Sequence, residues 1–113
     1  MQLEKISLHG KDEITLIAQV AKNFPEIEAI YLFGSCARQE DTEKSDIDTL
    51  IIWNNFNNEE SGIKSFDFVK SVFNKKMFRW DRIFLSSKEE FEAKNYGVYN
   101  TIKELNNVIY TKE

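Results

Sequence analysis

Apolar residues in the first half of the chain recur in two different patterns, which predict one helix and two strands. Between residues 12 and 23 they recur every three or four positions, as on one face of a helix, and Pro25 prevents that helix from continuing. Residues 28–33 and 47–53 instead form short continuous apolar runs rich in β-prone side chains, which predict two strands. Because both runs are apolar throughout, we expect a sheet that is covered on much of its surface.

The middle of the chain predicts a loop followed by a long helix. Residues 54–62 are rich in asparagine and have the composition of a loop. Apolar residues then return at helical spacing and predict a second helix over residues 62–74. We expect the apolar stripe of this helix to face the core. Its members are Ile63, Phe66, Val69, Val72 and Phe73.

The last third of the chain predicts a third strand and two further helices. Phe, Trp and Ile enrich residues 77–85, which predicts the strand. A serine at 86–87 is expected to cap the next helix, and Gly97 to separate it from a last helix near residues 98–107. No element is assigned to the short apolar run 108–110. Helices and strands in this order predict an α/β domain with a small mixed sheet flanked by helices.

Composition indicates one folded domain. The chain has 113 residues, of which 42% are hydrophobic and 30% charged, and these values exclude global disorder. We expect a single domain over residues 1–113, with its motifs between about 28 and 85. The single cysteine, Cys36, cannot form an intramolecular disulfide, and with one histidine it cannot complete the usual zinc site.

The net charge and the absence of long apolar runs argue against nucleic-acid and membrane partners. The chain has 19 acidic and 15 basic residues, a net charge of -4, which argues against binding long nucleic acid because that affinity comes from clustered Lys and Arg. No apolar run is long enough to span a membrane, and no secretory signal pattern is present, so we expect a cytoplasmic location without a membrane partner. A small phosphorylated ligand handled with metal ions remains compatible with the acid excess.

One cluster of polar residues lies where the first two strands meet the intervening segment. The first strand ends in Gly34 and Ser35, and after ten further residues Asp46 and Asp48 open the second strand. Residues i and i+2 of a strand point to the same face, so the two carboxylates repel each other unless one is protonated or a cation lies between them. Carboxylate oxygens on a strand suit Mg²⁺, and a Gly-Ser turn suits a phosphate. The alternative interpretation is a polar strand entrance beside a capped turn.

The third strand contains a further acid in an otherwise apolar run. Asp81 lies between Trp80 and Arg82, and a carboxylate in a sheet is costly unless it has a partner or a ligand. Strict alternation places Arg79 on the face of Asp81 and predicts that Arg82 lies on the opposite face. A surface salt bridge between Asp81 and either arginine is the alternative explanation.

These motifs together resemble a known superfamily. The segment Leu32–Arg38 (LFGSCAR), the segment Ser45–Asp48 (SDID) after it and Asp81 on a later strand resemble the nucleotidyltransferases of the DNA polymerase beta type. The Ala37-Arg38 pair, together with the segments at 86–91 and 108–110, is similar to the minimal nucleotidyltransferases. Members of that group are often encoded beside a HEPN-domain toxin and act as its antitoxin. The resemblance spans about residues 12–110.

The resemblance implies a reaction and a set of residues for it. The expected fold is the polymerase-beta-like nucleotidyltransferase fold, and the expected reaction transfers AMP from ATP with two Mg²⁺ ions. In the superfamily, the residues that match Asp46 and Asp48 hold both ions, and the residue that matches Asp81 binds one ion and helps to deprotonate the attacking hydroxyl. The acceptor in the antitoxin group is a tyrosine hydroxyl of the HEPN-domain toxin.

The resemblance also assigns the nucleotide phosphates to the turn after the first strand. Gly34 and Ser35 would hold the β- and γ-phosphates through backbone N–H groups and the hydroxyl, and Arg38 would support that turn or pair with a nearby acid. Two other functions remain open at this point. One is a catalytically silent antitoxin that covers its toxin, and the other is a transferase for a small molecule such as an aminoglycoside.

Overall fold

A computed structural model describes residues 11–34, 46–54, 58–76 and 80–112 of the chain. The described elements follow the order helix, strand, strand, helix, strand, helix, helix, strand. Helix α1 spans Lys11–Ala21, strand β1 Ile27–Phe33, strand β2 Ile47–Trp53, helix α2 Asn58–Lys76, strand β3 Trp80–Ser87, helix α3 Lys88–Ala93, helix α4 Gly97–Leu105 and strand β4 Val108–Thr111. None of the helices within these ranges is long and apolar enough to cross a membrane.

The four strands form one mixed sheet in the order β3-β2-β1-β4. Strand β1 runs antiparallel to both β2 and β4, whereas β2 and β3 are parallel. Two parallel neighbours need a crossover connection, and α2 supplies it. The predicted small mixed sheet flanked by helices is therefore confirmed.

Strand β2 is central and separates two apolar clusters. All seven of its residues are buried. One cluster joins Ile47, Ile51 and Trp53 to helices α1 and α2, and the other joins Leu50 and Ile52 to helix α4. Successive side chains of a strand point to opposite faces, so Asp48 lies on the face of Leu50 and Ile52. Strand β2 thus carries the Asp48 side chain on the α4 side of the sheet.

The sequence predicted most elements within a few residues. The first helix and the first two strands agree with α1, β1 and β2, and the serine cap is confirmed because the Ser87 hydroxyl accepts a hydrogen bond from the Glu90 N–H at 3.0 Å. Helix α2 begins at Asn58, not at residue 62, so part of the predicted loop is helical. The predicted third strand began at residue 77, but positions 77–79 lie outside the described residues.

Strand β4 was not predicted, and the predicted buried face of α2 is only partly correct. The four residues of β4 are too few to show a pattern, and pairing with β1 is what defines the strand. In α2 the buried positions are Ser65, Phe68 and Val72, whereas Ile63 and Phe66 are exposed. The helix carries two apolar stripes, and its sequence alone does not show which of them faces the sheet.

Candidate active site

Asp48 is the buried acid of the predicted cluster. It is only 9% exposed, and in β2 it lies opposite Phe33, the last residue of β1. Its Oδ1 atom is buried and has no hydrogen-bond partner in the part of the chain that the structure describes. A buried carboxylate oxygen without a partner is costly, so this atom is a candidate donor to a ligand.

Gly34 brings the backbone of the first turn against this carboxylate. Its φ is +77°, a left-handed conformation that glycine adopts without strain. A Cβ at this position would overlap with Oδ2 of Asp48 and would lie 3.2 Å from its Cγ. The close approach therefore requires glycine, and it confirms that the end of β1 and the start of β2 form one corner, as the spacing in the sequence predicted. We call this junction of Gly34 and Asp48 the β1/β2 corner.

Burial and neighbouring charges together set the pKa of Asp48. Burial raises the pKa of its carboxyl, and the charges of Asp46 and Asp81 raise it further. The positive charge of Arg82 and a hydrogen bond from its backbone N–H act in the opposite direction, and the net pKa is raised. Asp46 and Asp81, the other two predicted acids, are therefore close enough to Asp48 to affect its pKa.

A β-bulge at the start of β3 explains the position of Arg82. In the pairing with β2, Ile47 lies opposite Trp80 but Asp48 lies opposite Arg82, so Asp81 is an extra residue in β3. The prediction that Arg82 faces away from Asp48 is therefore wrong, because it assumed unbroken alternation. Nothing local in the sequence marks the bulge.

The aromatic side chains of β3 show the same change of face. Trp80 packs on Phe68 of α2 with ring centroids 5.6 Å apart, and its indole N–H donates a hydrogen bond of 2.7 Å to the Thr49 hydroxyl. Phe84 instead stacks on Phe33, with centroids 5.5 Å apart. Without the bulge, residues 80 and 84 would share one face. The bulge thus places Arg82 and Phe84 on the face of the sheet that carries Asp48.

The structure describes only some of the remaining predicted site residues. Asp46 and Asp81 are exposed, and their charges act on the buried Asp48. Ser35 and Arg38, predicted to bind the nucleotide, lie outside the described residues, as does Arg79. Their roles remain predictions.

The carboxylates of this corner fit a divalent cation whose other ligands come from a nucleotide and water. Within the described ranges, no group of three or more acidic, histidine or cysteine side chains could hold a metal ion by itself. Mg²⁺ is commonly bound by one or two carboxylates together with substrate phosphates and water, so a complete protein cage is not needed. The unpartnered Oδ1 of Asp48, with Asp46 two residues before it, is the part of such a site that the protein would supply.

The raised pKa of Asp48 predicts how stability depends on pH without metal. In the pH range between its ordinary value near 3.8 and the raised value, the folded protein holds a proton that the unfolded chain has lost, so stability falls as pH rises. The melting temperature of the parent should therefore fall relative to that of Asp48→Asn as the pH rises from about 4 through the raised pKa of Asp48, in buffer with EDTA. Thermal denaturation followed by circular dichroism measures this difference.

Added Mg²⁺ provides the control for that experiment. A cation on the ionised carboxylate should raise the melting temperature of the parent at neutral pH and leave that of Asp48→Asn unchanged. Parallel curves for the two proteins over the whole pH range would contradict the raised pKa.

Comparison with known proteins identifies the class of this protein. The family described as polymerase beta, nucleotidyltransferase matches residues 15–110. The chain therefore belongs to this family of nucleotidyltransferases, and its sheet with flanking helices is the polymerase-beta-like nucleotidyltransferase fold. The predicted superfamily is confirmed. Members of the family generally use a nucleoside triphosphate and a divalent metal ion.

This chain is similar to a candidate nucleotidyltransferase from Sulfolobus solfataricus, known from a crystal structure. The two sequences are 29% identical, the match covers 70% of this chain and 67% of that chain, and the TM-score is 0.48. Proteins of curated function gave no match.

Proposed function

We propose that this protein transfers AMP from ATP, with Mg²⁺, to a tyrosine hydroxyl of a partner HEPN-domain toxin and thereby acts as its antitoxin. The observation that carries the proposal is the β1/β2 corner in a chain that belongs to the nucleotidyltransferase family. At this corner a buried carboxylate, one oxygen of which has no partner among the described residues, meets a backbone turn that only glycine fits. The choice of acceptor rests on the resemblance to the minimal nucleotidyltransferases.

In the proposed reaction, the tyrosine oxygen forms a bond with the α-phosphorus of ATP. The bond between that phosphorus and the oxygen bridging to the β-phosphate breaks, and pyrophosphate leaves. The hydroxyl proton passes to a carboxylate, and Asp81 suits this role because it is exposed and can release the proton to water. Bound Mg²⁺ would neutralise charge on the phosphates and lower the pKa of the attacking hydroxyl.

Because Asp48 is buried whereas Asp46 and Asp81 are exposed, its role in the reaction would differ from theirs. Its carboxylate is fixed by packing in the central strand, so its oxygens keep one position while nucleotide and metal exchange. Asp46, exposed at the entrance of β2, would complete the carboxylate pair that holds the metal. The left-handed backbone at Gly34 lets the turn lie directly against the Asp48 carboxylate, which a side chain at that position would prevent. A phosphate bound at this turn would then lie beside the metal-binding carboxylate.

Mass spectrometry of the toxin tests the proposal. The proposed partner, a HEPN-domain toxin, is co-purified with the chain, incubated with Mg²⁺ and each nucleoside triphosphate in turn, and its intact mass is measured. We expect a gain of one or more AMP groups on a tyrosine with ATP. The double variant Asp46→Asn/Asp48→Asn should give no gain, whereas Asp67→Asn, an exposed acid on α2, should match the parent.

The same experiment separates the two alternatives. If the double variant neutralises the toxin as well as the parent does, and the toxin mass does not change, the protein is a silent binding antitoxin and the transferase proposal fails. If instead the chain alone releases pyrophosphate from Mg-ATP in the presence of aminoglycosides, the acceptor is a small molecule and the toxin acceptor is wrong.

A further inference from the structure

Helix α2 carries an exposed apolar stripe, of which Phe73 also stacks on Trp80 with ring centroids 6.2 Å apart. Ile63 is 65% exposed, Phe66 67% and Phe73 42%, although the same helix buries Phe68 and Val72 against the sheet. Large apolar side chains gathered on one exposed face indicate an interaction surface. We call the set Ile63, Phe66, Lys70 and Phe73 the α2 stripe.

The spacing of the α2 stripe is that of a helix-pairing seam. Its members are separated by three, four and three residues, so they lie along one side of the helix. This order reads the same in both directions. Two copies of α2 placed antiparallel therefore bring Ile63 opposite Phe73 of the other copy, and Phe66 opposite Lys70.

The charges of the stripe favour the antiparallel orientation over the parallel one. In a parallel pair Lys70 would meet Lys70 of the second copy at the centre of the seam, and the two ammonium groups would repel each other. In the antiparallel pair Lys70 lies over the ring of Phe66 and near the carboxylate of Asp67, and the two-fold axis repeats this contact. The helix dipoles also oppose each other in that arrangement.

Gly62 is a second, independent feature of the same face. Glycine is disfavoured inside a helix, yet nothing lies within 4 Å of where its Cβ would be, so the fold of the single chain does not require it. It borders the stripe next to Ile63, where a missing side chain lets the backbone of a neighbouring helix approach closely.

We propose that this protein forms a two-fold symmetric dimer in which the α2 stripe packs antiparallel on the α2 stripe of a second copy. The dimer would bury the exposed apolar side chains of both copies and leave each Lys70 with an aromatic and an acidic neighbour. This inference goes beyond the proposed function and does not depend on it, because it uses no residue of the β1/β2 corner.

Sedimentation velocity over a range of protein concentrations tests the dimer. The parent should change from monomer to dimer as concentration rises, and Phe66→Glu should raise the dissociation constant by at least about 30-fold. Phe66 is largely exposed in the single chain, so the variant should keep the melting temperature that the parent has at concentrations where the parent is monomeric. Tyr96→Glu is the matched control, since this aromatic residue is 65% exposed but lies outside the stripe.

Disulfide cross-linking tests the orientation. With Cys36 replaced by Ser, the double variant Ile63→Cys/Phe73→Cys should form covalent dimers on mild oxidation. Each single variant should not, because ten residues of helix separate the two equivalent positions by about 15 Å. Efficient cross-linking of either single variant would overturn the antiparallel arrangement.

A parent that stays monomeric at every concentration would overturn the proposal, as would a Phe66→Glu variant that dimerises like the parent. A stripe that becomes protected only when a different protein binds would also overturn it.

Discussion

Asp48→Asn should lower nucleotidyl transfer by more than about 100-fold and leave the protein folded. The carboxylate is the buried donor of the β1/β2 corner, and its Oδ1 has no other partner among the described residues. An amide of the same shape removes the charge that a cation needs, but it also removes a costly buried carboxylate. The loss should therefore concern activity alone, measured as pyrophosphate release with the acceptor present.

The combination of lost activity and preserved fold is what distinguishes this prediction. A residue that only supports the strand would lower the melting temperature when it is changed, whereas Asp48→Asn should equal or exceed the parent at neutral pH without metal. Asp67→Asn on α2 is the control for removing an acid and should retain full activity. Activity within about tenfold of the parent would contradict the role of Asp48.

Gly34→Ala should damage both activity and stability. The new methyl group would overlap with Oδ2 of Asp48, and the residue would have to keep a φ of +77°. Together these effects should cost about 2–5 kcal/mol of unfolding free energy and displace the carboxylate. Chemical denaturation and the transfer rate measure the two losses.

Gly97→Ala is the matched control for this prediction. Gly97 also has a positive φ, +56°, but nothing lies within 4 Å of its Cβ position. Its substitution should therefore cost only the backbone term of about 1–2 kcal/mol and leave transfer unchanged. Adding Asp48→Ala to Gly34→Ala should recover part of the stability, because it removes the overlapping carboxylate. Equal effects of the two glycine substitutions would show that the contact with Asp48 is unimportant.

Patterns that depend on near neighbours were predictable from the sequence. The two strands around the polar cluster are continuous apolar runs, and the pairing of β1 with β2 brings Phe33 opposite Asp48. The pleat of any strand makes residues i and i+2, such as Asp46 and Asp48, point to the same face. The junction of the Gly34 turn with the Asp48 carboxylate was therefore predictable in outline.

Features that depend on distant neighbours were not predictable. The bulge that places Arg82 opposite Asp48 exists only in the pairing of β2 with β3. The choice of Phe68 over Phe66 as the buried residue of α2 depends on which stripe meets α1 and the sheet, and both stripes are apolar in the sequence. The depth of Asp48, in contrast to the exposed Asp46, likewise follows from its central position in the sheet.

Label transfer from ATP is the most direct test of the account. ATP labelled with radioactive phosphorus at the α position is incubated with Mg²⁺, the chain and the HEPN-domain toxin, and a parallel reaction uses ATP labelled at the γ position. We predict that the α label becomes bound to the toxin, that the γ label leaves as pyrophosphate, and that Asp48→Asn transfers neither. Absence of α label on the toxin with the parent, or equal labelling by Asp48→Asn, would contradict the account.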